Sequence, residues 1–302
     1  MSEPKLLMIP GPIEISPGVR DAAAEPPRSH VAPDLIEAFG ASVEAMRSVW
    51  KAPADAQPFI VAGSGTLAME MAVANLVSPG DRVVVANTGY FSDRIAEMLR
   101  RTGAEVVEVR AEVGHAPSAD EVETACAAAP TRAVFATHVD TSTGVRVDAG
   151  SISAIARRHD ALSVFDGVCA TAGERFEMSA WDADVYLTAS QKAIGLPAGL
   201  ALLVASSRAM ERRRALQAAP PLSIDWLTWL PIMQAYEERR PAYFATPATT
   251  LIWALKVGLE EILQDGIDAR FDAHAATASA CRRAWKALGL TLLPAEGLAA
   301  DT

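Results

Sequence analysis

An α/β fold, built on a mostly parallel seven-stranded sheet flanked by helices, is the architecture this sequence predicts. Three observations carry the prediction. Short apolar runs bounded by Gly or Pro recur through the first two thirds of the chain. Stretches with apolar residues at three- and four-residue steps alternate with them, the pattern of parallel strands joined by helical crossovers. Strands of such a sheet are expected to be buried on both faces.

Taken in order, the first strand is expected at 59–62, where Phe59-Ile60-Val61-Ala62 runs into Gly63. Strands at 82–86 and 105–109 follow Pro79-Gly80 and Gly103, and a fourth at 133–137 follows Pro130. Further apolar runs place strands at 162–166, 185–188 and 201–204. Helices are expected between them at 66–76, 91–101, 119–128 and 151–159, from their apolar periodicity. After Ser206 the pattern turns helical, and 249–263 reads as a long amphipathic helix leading out of a large domain. The large domain is set at 1–265, including the N-terminal segment. Residues 266–302 read as the start of a smaller C-terminal domain that is incomplete, because they fall below the roughly 40 residues a free-standing core needs.

Composition narrows the function. Half of the 302 residues are apolar and 21% are charged, a globular balance rather than a disordered one. The formal charge of -10 repels a phosphate backbone, so nucleic acid is not an expected partner. No stretch approaches the roughly 20 apolar residues of a membrane span, and no basic region precedes an apolar run at the N-terminus. Cys126, Cys169 and Cys281 form no spaced cluster, which argues against a disulfide framework or a metal site. A reducing compartment is expected, the cytoplasm first, with peroxisome and mitochondrion left open.

Three motifs carry chemistry. Ala62-Gly63-Ser64-Gly65-Thr66 lies between a strand and a helix, where unpaired N–H groups and the positive dipole end favour a phosphate. On its own, Ser64 or Thr66 reads equally well as an N-cap. Asp166 ends a strand in Val164-Phe165-Asp166-Gly167-Val168, at the edge where α/β proteins hold ligands. Lys192 follows a strand in Thr188-Ala189-Ser190-Gln191-Lys192-Ala193. A lone lysine is ordinarily a solvated surface group. Together, a phosphate cradle, an acid for a ring nitrogen and a strand-end lysine are the protein groups that pyridoxal phosphate chemistry needs.

In order and spacing these motifs resemble the class V pyridoxal-phosphate aminotransferases, and within them the alanine:glyoxylate branch. The resemblance covers about residues 7–263 and includes Pro10-Gly11-Pro12, Thr137-His138-Val139-Asp140-Thr141-Ser142-Thr143-Gly144, Ser190-Gln191-Lys192-Ala193-Ile194-Gly195 and Tyr243-Phe244-Ala245-Thr246-Pro247. It implies the PLP-transferase fold of type I. Lys192 would carry the cofactor as a Schiff base and Asp166 would keep the pyridine nitrogen protonated. Ser64, Gly65, Thr66 and Gln191 match phosphate contacts. Phe91 matches the aromatic stacked on the ring, Val168 the residue on its other face, and Thr141 the hydroxyl beside the phenolic oxygen. Tyr243 and Thr246 match positions that reach the cofactor phosphate of a neighbouring subunit, which implies a homodimer. His138 is left between a structural and a catalytic role.

The resemblance implies ping-pong transamination of a small amino acid, alanine or serine, with glyoxylate or pyruvate as acceptor. The family's substrate-carboxylate arginine has no match. Arg270, Arg282 and Arg283 lie too early and read as solvated helix residues. A cysteine desulfurase or selenocysteine lyase would share the scaffold but needs a reactive cysteine, for which Cys169 is a poor candidate. A non-catalytic, cofactor-binding remnant is a further alternative. A nicotinamide dehydrogenase is disfavoured because no strand is followed by Gly-x-Gly-x-x-Gly.

Overall fold

A computed structural model describes residues 6–302; the first five residues of the predicted large domain lie outside the described residues. Two N-terminal helices, α1 (Pro17–Ala23) and α2 (Pro33–Val49), precede the first strand, β1 (Gln57–Ala62). There follow α3 (Gly65–Leu76), β2 (Arg82–Asn87), α4 (Tyr90–Arg101), β3 (Glu105–Arg110), α5 (Ala119–Ala127) and β4 (Ala133–Thr137). A small ribbon of β5 (Val139–Asp140) and β6 (Val145–Arg146) leads to α6 (Ala149–Arg158), β7 (Leu162–Asp166), β8 (Val185–Ala189) and β9 (Leu200–Ala205). The chain then becomes helical: α7 (Ser207–Ala215), α8 (Trp226–Glu237), α9 (Thr249–Leu263) and α10 (Ile267–Ala287).

The predicted seven strands form one sheet, and their order is β1-β9-β8-β7-β4-β2-β3. The ladders β2–β3, β2–β4, β4–β7 and β7–β8 are parallel, whereas β9 runs antiparallel to both β1 and β8. Thus β1 points the same way as the parallel strands. The carboxyl ends of β1, β2, β4, β7 and β8 therefore open on one edge, the crevice where open α/β sheets bind ligands. The central strands are apolar because helices cover both faces. Val83, Val84 and Val85 of β2 are fully buried, and each such side chain contributes about 1.5–3 kcal/mol. Two-sided burial fails at β3, an edge strand whose end residues are exposed.

Local signals set the helix starts. Ser118 and Glu121 form a capping box on α5, and Asp148 caps α6 through Ser151 N at 3.0 Å. Helix α9 has the predicted bounds and packs on α1 and α2, through buried Ile252, Leu255 and Leu259. Of the 21 residues of α10 only Ile267 and Phe271 are buried, so this helix leaves the main core after its first turns. Beyond it, Leu298 to Ala300 lie beside the ribbon: Arg146 N donates to Leu298 O at 2.8 Å and Ala300 N to Gly144 O at 3.0 Å. Among the described residues no helix is long and apolar enough to cross a membrane.

Candidate active site

The phosphate-type turn forms where β1 meets α3. Gly63 N donates to Gly199 O at 2.8 Å, and the extended Ser64 caps the helix by accepting Leu67 N at 3.4 Å. The next two amides, Gly65 N and Thr66 N, donate to no acceptor among the described residues. They form the free donor pair expected at an uncovered helix N-terminus. A Cβ on Gly65 would stand 2.8 Å from Val168 Cγ2 and 3.3 Å from Ala189 Cβ. The absent side chain lets the helix start rest on the residues just beyond β7 and within β8.

Asp166, the last residue of β7, is 2% exposed. Its Oδ1 accepts Val168 N at 2.9 Å, and no described residue donates to Oδ2. Burial pushes the carboxyl up to about 7, against the lowering effect of the Val168 hydrogen bond; Asp140 raises it further, and the charges of Arg94 and Lys192 oppose this. A buried carboxylate with an oxygen that accepts no hydrogen bond calls for a cationic donor.

Lys192 lies on the turn after β8, which Gly195 closes by donating to Lys192 O at 2.8 Å with φ at 78°. The lysine is half-buried, and its Nζ has no hydrogen-bond or ion-pair partner among the described residues. Asp166 ends β7, which pairs with β8, and the Lys192 turn follows β8, so the predicted lysine and aspartate stand at the same edge of the sheet. The Pro10-Gly11-Pro12 loop covers the lysine stem: a Cβ on Gly11 would meet Lys192 Cδ at 2.2 Å and Gln191 O at 2.9 Å. Gln191 itself has no side-chain hydrogen bond among the described residues. Beside this turn opens a cavity of about 480 Å³, whose walls include Pro10, Thr143, Cys169, Ala193 and His274.

The Thr137–Gly144 motif reaches the same crevice, and its organising residue is one that sequence reasoning missed. Asp140, fully buried, accepts Phe91 N at 3.1 Å and Ser92 N at 3.3 Å through Oδ2, and Ser142 N at 3.0 Å through Oδ1. It therefore caps α4 from 49 residues away in sequence. Half-buried Phe91 is held at that helix start, with the Arg94 guanidinium 5.1 Å from its ring centre. Arg94 also donates to Thr66 Oγ1 at 3.3 Å and to Tyr90 Oη at 3.0 Å, tying the aromatic to the phosphate-type turn. Thr141, which directly follows Asp140, is half-buried.

Other predicted residues lie elsewhere or differ from expectation. Tyr243 is 63% exposed on the loop before α9, and its hydroxyl lies 3.5 Å from that of Thr246; neither bonds to the Lys192 group. His138 belongs to a buried aromatic cluster with Phe176 and Tyr186; its Nδ1 lies 2.8 Å from Tyr186 Oη, and burial lowers its pKa to about 3, leaving it neutral. The solvated reading of the arginines holds only for Arg283. Arg282 is bonded to Ala300 O and Asp301, and Arg270 is folded back onto Ala172 O and Ala193 O. Both were misread because helical periodicity does not reveal which distant loops return to a helix. Cys169 is buried and burial raises its thiol, the opposite of the accessible thiolate a desulfurase needs.

Comparison with known proteins agrees with this arrangement. Residues 22–284 match the family model described as aminotransferase class-V. The chain is 39% identical to alanine–glyoxylate aminotransferase 1 of Saccharomyces cerevisiae, over 89% of this chain and 72% of that protein. It is 34% identical to L-aspartate–glyoxylate aminotransferase of Paracoccus denitrificans, covering 97% and 73%. The crystal structure of alanine–glyoxylate aminotransferase from Nostoc sp. superposes with a TM-score of 0.91 at 28% identity, covering all of this chain and 79% of that one. A match of this extent, on a sheet whose carboxyl edge gathers a glycine-rich helix start, a buried aspartate and an unpartnered lysine, shows that the chain belongs to the class-V aminotransferase family.

Proposed function

We propose that this chain transfers the amino group of a small amino acid, alanine foremost and serine second, to glyoxylate or pyruvate, with Lys192 and Asp166 as its catalytic residues. The family implies pyridoxal phosphate, and groups without hydrogen-bond partners among the described residues fit it at three points: the Gly65 and Thr66 amides for a phosphate, Asp166 Oδ2 for a ring N–H, and Lys192 Nζ for an aldehyde. The cofactor, when bound, supplies a carbonyl that takes up the amino group and a cationic ring that accepts electrons from the substrate. Ser64, Gly65, Thr66 and Gln191 would hold its phosphate, while Phe91 and Val168 would contact the ring and Thr141 its phenolic oxygen.

Asp166 would keep the ring nitrogen protonated, since a buried carboxylate would gain a charge-assisted hydrogen bond there. Lys192, with no partner of its own among the described residues, would take the proton from the substrate α-carbon and return it later in the cycle, acting as base and then as acid. The Pro10-Gly11-Pro12 loop limits the lysine's swing and lies on the substrate side. Exposed Tyr243 and Thr246 would complete the phosphate site of a second copy, which makes the working unit a homodimer. We place the large domain at 1–265 and the start of the smaller one at 266.

The observation that carries the reading is the unpartnered Lys192 amine on the turn after β8, with the buried Asp166 ending the adjoining strand β7. The glyoxylate-using relatives support the choice of acceptor. The test separates the half-reactions: protein loaded with cofactor and given L-alanine should release one pyruvate per site, and glyoxylate added after dialysis should return as glycine. Absence of keto acid from every small amino acid tried would refute transamination by this chain.

A further inference from the structure

Arg270 is a cation half-buried in the protein with no carboxylate within ion-pair distance among the described residues. Charges are ordinarily buried only with a partner. Here the guanidinium spends its donors on two neutral carbonyls: Nε on Ala172 O at 2.8 Å and Nη2 on Ala193 O at 2.9 Å. Those carbonyls belong to the two loops that matter to the site. Ala172 lies six residues beyond Asp166, on the turn after β7, and Ala193 directly follows Lys192, on the turn after β8.

The loops also touch each other there. A Cβ on Gly173 would stand 3.2 Å from both Ala193 Cβ and His274 Nδ1, so the Asp166 loop, the Lys192 turn and α10 converge at one point. Ala172 holds φ at 64°, a left-handed conformation that a residue with a side chain adopts only when its surroundings enforce it. Arginine offers a rigid fork whose separate nitrogens reach two carbonyls at once; the three donors of a lysine ammonium all leave one nitrogen on a flexible stem.

We propose that Arg270 is a positioning residue that fixes the Lys192 turn against the Asp166 loop, so that the amine and the carboxylate address one cofactor at the spacing it requires. The inference rests on the reading that Lys192 and Asp166 hold pyridoxal phosphate. It gives α10 a task within the site: the helix that follows the large domain sends one side chain back to set the geometry between two strand-end loops.

The test compares the parent chain with Arg270→Met, Arg270→Lys and the exposed same-helix control Arg283→Met, each titrated with pyridoxal phosphate. Three quantities are read: affinity by absorbance, visible circular dichroism of the bound chromophore, and mass label at Lys192 after borohydride. Arg270→Met should bind about tenfold or more weakly, the loss of hydrogen bonds from a charged donor, with reduced dichroism per labelled site. Arg270→Lys should fall between it and the parent, and Arg283→Met should match the parent. Parental affinity and dichroism in Arg270→Lys, or in a folded Arg270→Met, would overturn the proposal. If the parent itself takes no label at Lys192, the cofactor reading fails first, and the inference falls with it for that separate reason.

Discussion

The Oδ2 atom of Asp140 accepts the backbone N–H of Phe91 at 3.1 Å, joining the Thr137–Gly144 motif to the first turn of α4. One carboxylate thereby fixes both the aromatic predicted to meet the cofactor ring and the loop that carries Thr141. Asp140→Ala should destabilise the protein by about 2 kcal/mol, because the Phe91, Ser92 and Ser142 amides lose their acceptor. Asp140→Asn, which keeps one acceptor oxygen, should lose about half of that. Denaturant unfolding measures both, and equal stability of Asp140→Ala and the parent would remove Asp140 from this role.

Asp166 predicts a pH dependence with a definite sign. Burial raises its folded pKa to about 7 from an ordinary value of 3.8. The folded state then holds a proton that the unfolded state has released, so Asp166's own contribution to stability is most favourable below about pH 4 and falls until about pH 7. Without cofactor, Asp166→Asn should gain on the parent across that window by an amount on the order of 4 kcal/mol. Parallel stability curves for the two proteins between pH 4 and 7 would contradict this.

Gly65→Ala should separate binding from folding. An alanine at a helix start is intrinsically better than glycine by up to about 1 kcal/mol. Its Cβ, however, would meet Val168 Cγ2 at 2.8 Å and shift the free amides of the turn. Affinity for inorganic phosphate and for pyridoxal phosphate, read by equilibrium dialysis, should fall about tenfold with little change in melting temperature. Unchanged affinity for both ligands would show that the turn is not the phosphate site.

Arg94 links the phosphate-type turn to the aromatic helix start through Thr66 and Tyr90. Arg94→Met should weaken pyridoxal phosphate binding more than binding of pyridoxal, which lacks the phosphate. Equal losses for the two would assign Arg94 to the ring side alone.

What the sequence disclosed, and what it did not, follows from the range of the interactions. Lys192 and Asp166 were legible because each sits at the end of an apolar run, and parallel strands deliver their carboxyl ends to one edge. Helix α9 was legible to the residue because its apolar stripe is continuous. Asp140 was not singled out, since its partners lie 48 and 49 residues upstream and no local pattern announces a cap supplied from another loop. Arg270 was misread for the same reason: its carbonyl partners lie 77 and 98 residues away. The N-terminal helix α2 drew no prediction, although it buries Leu35, Phe39, Val43 and Met46 against the core.

The most direct measurement is the site of covalent attachment. After incubation with pyridoxal phosphate, borohydride reduction and proteolysis, mass spectrometry should find the pyridoxyl mass on the peptide containing Lys192 and lose it in Lys192→Ala. Lys51 and Lys256 already stand paired with Asp268 and Glu260 and should remain unlabelled. A label confined to a lysine other than 192, or none at all, would contradict the account.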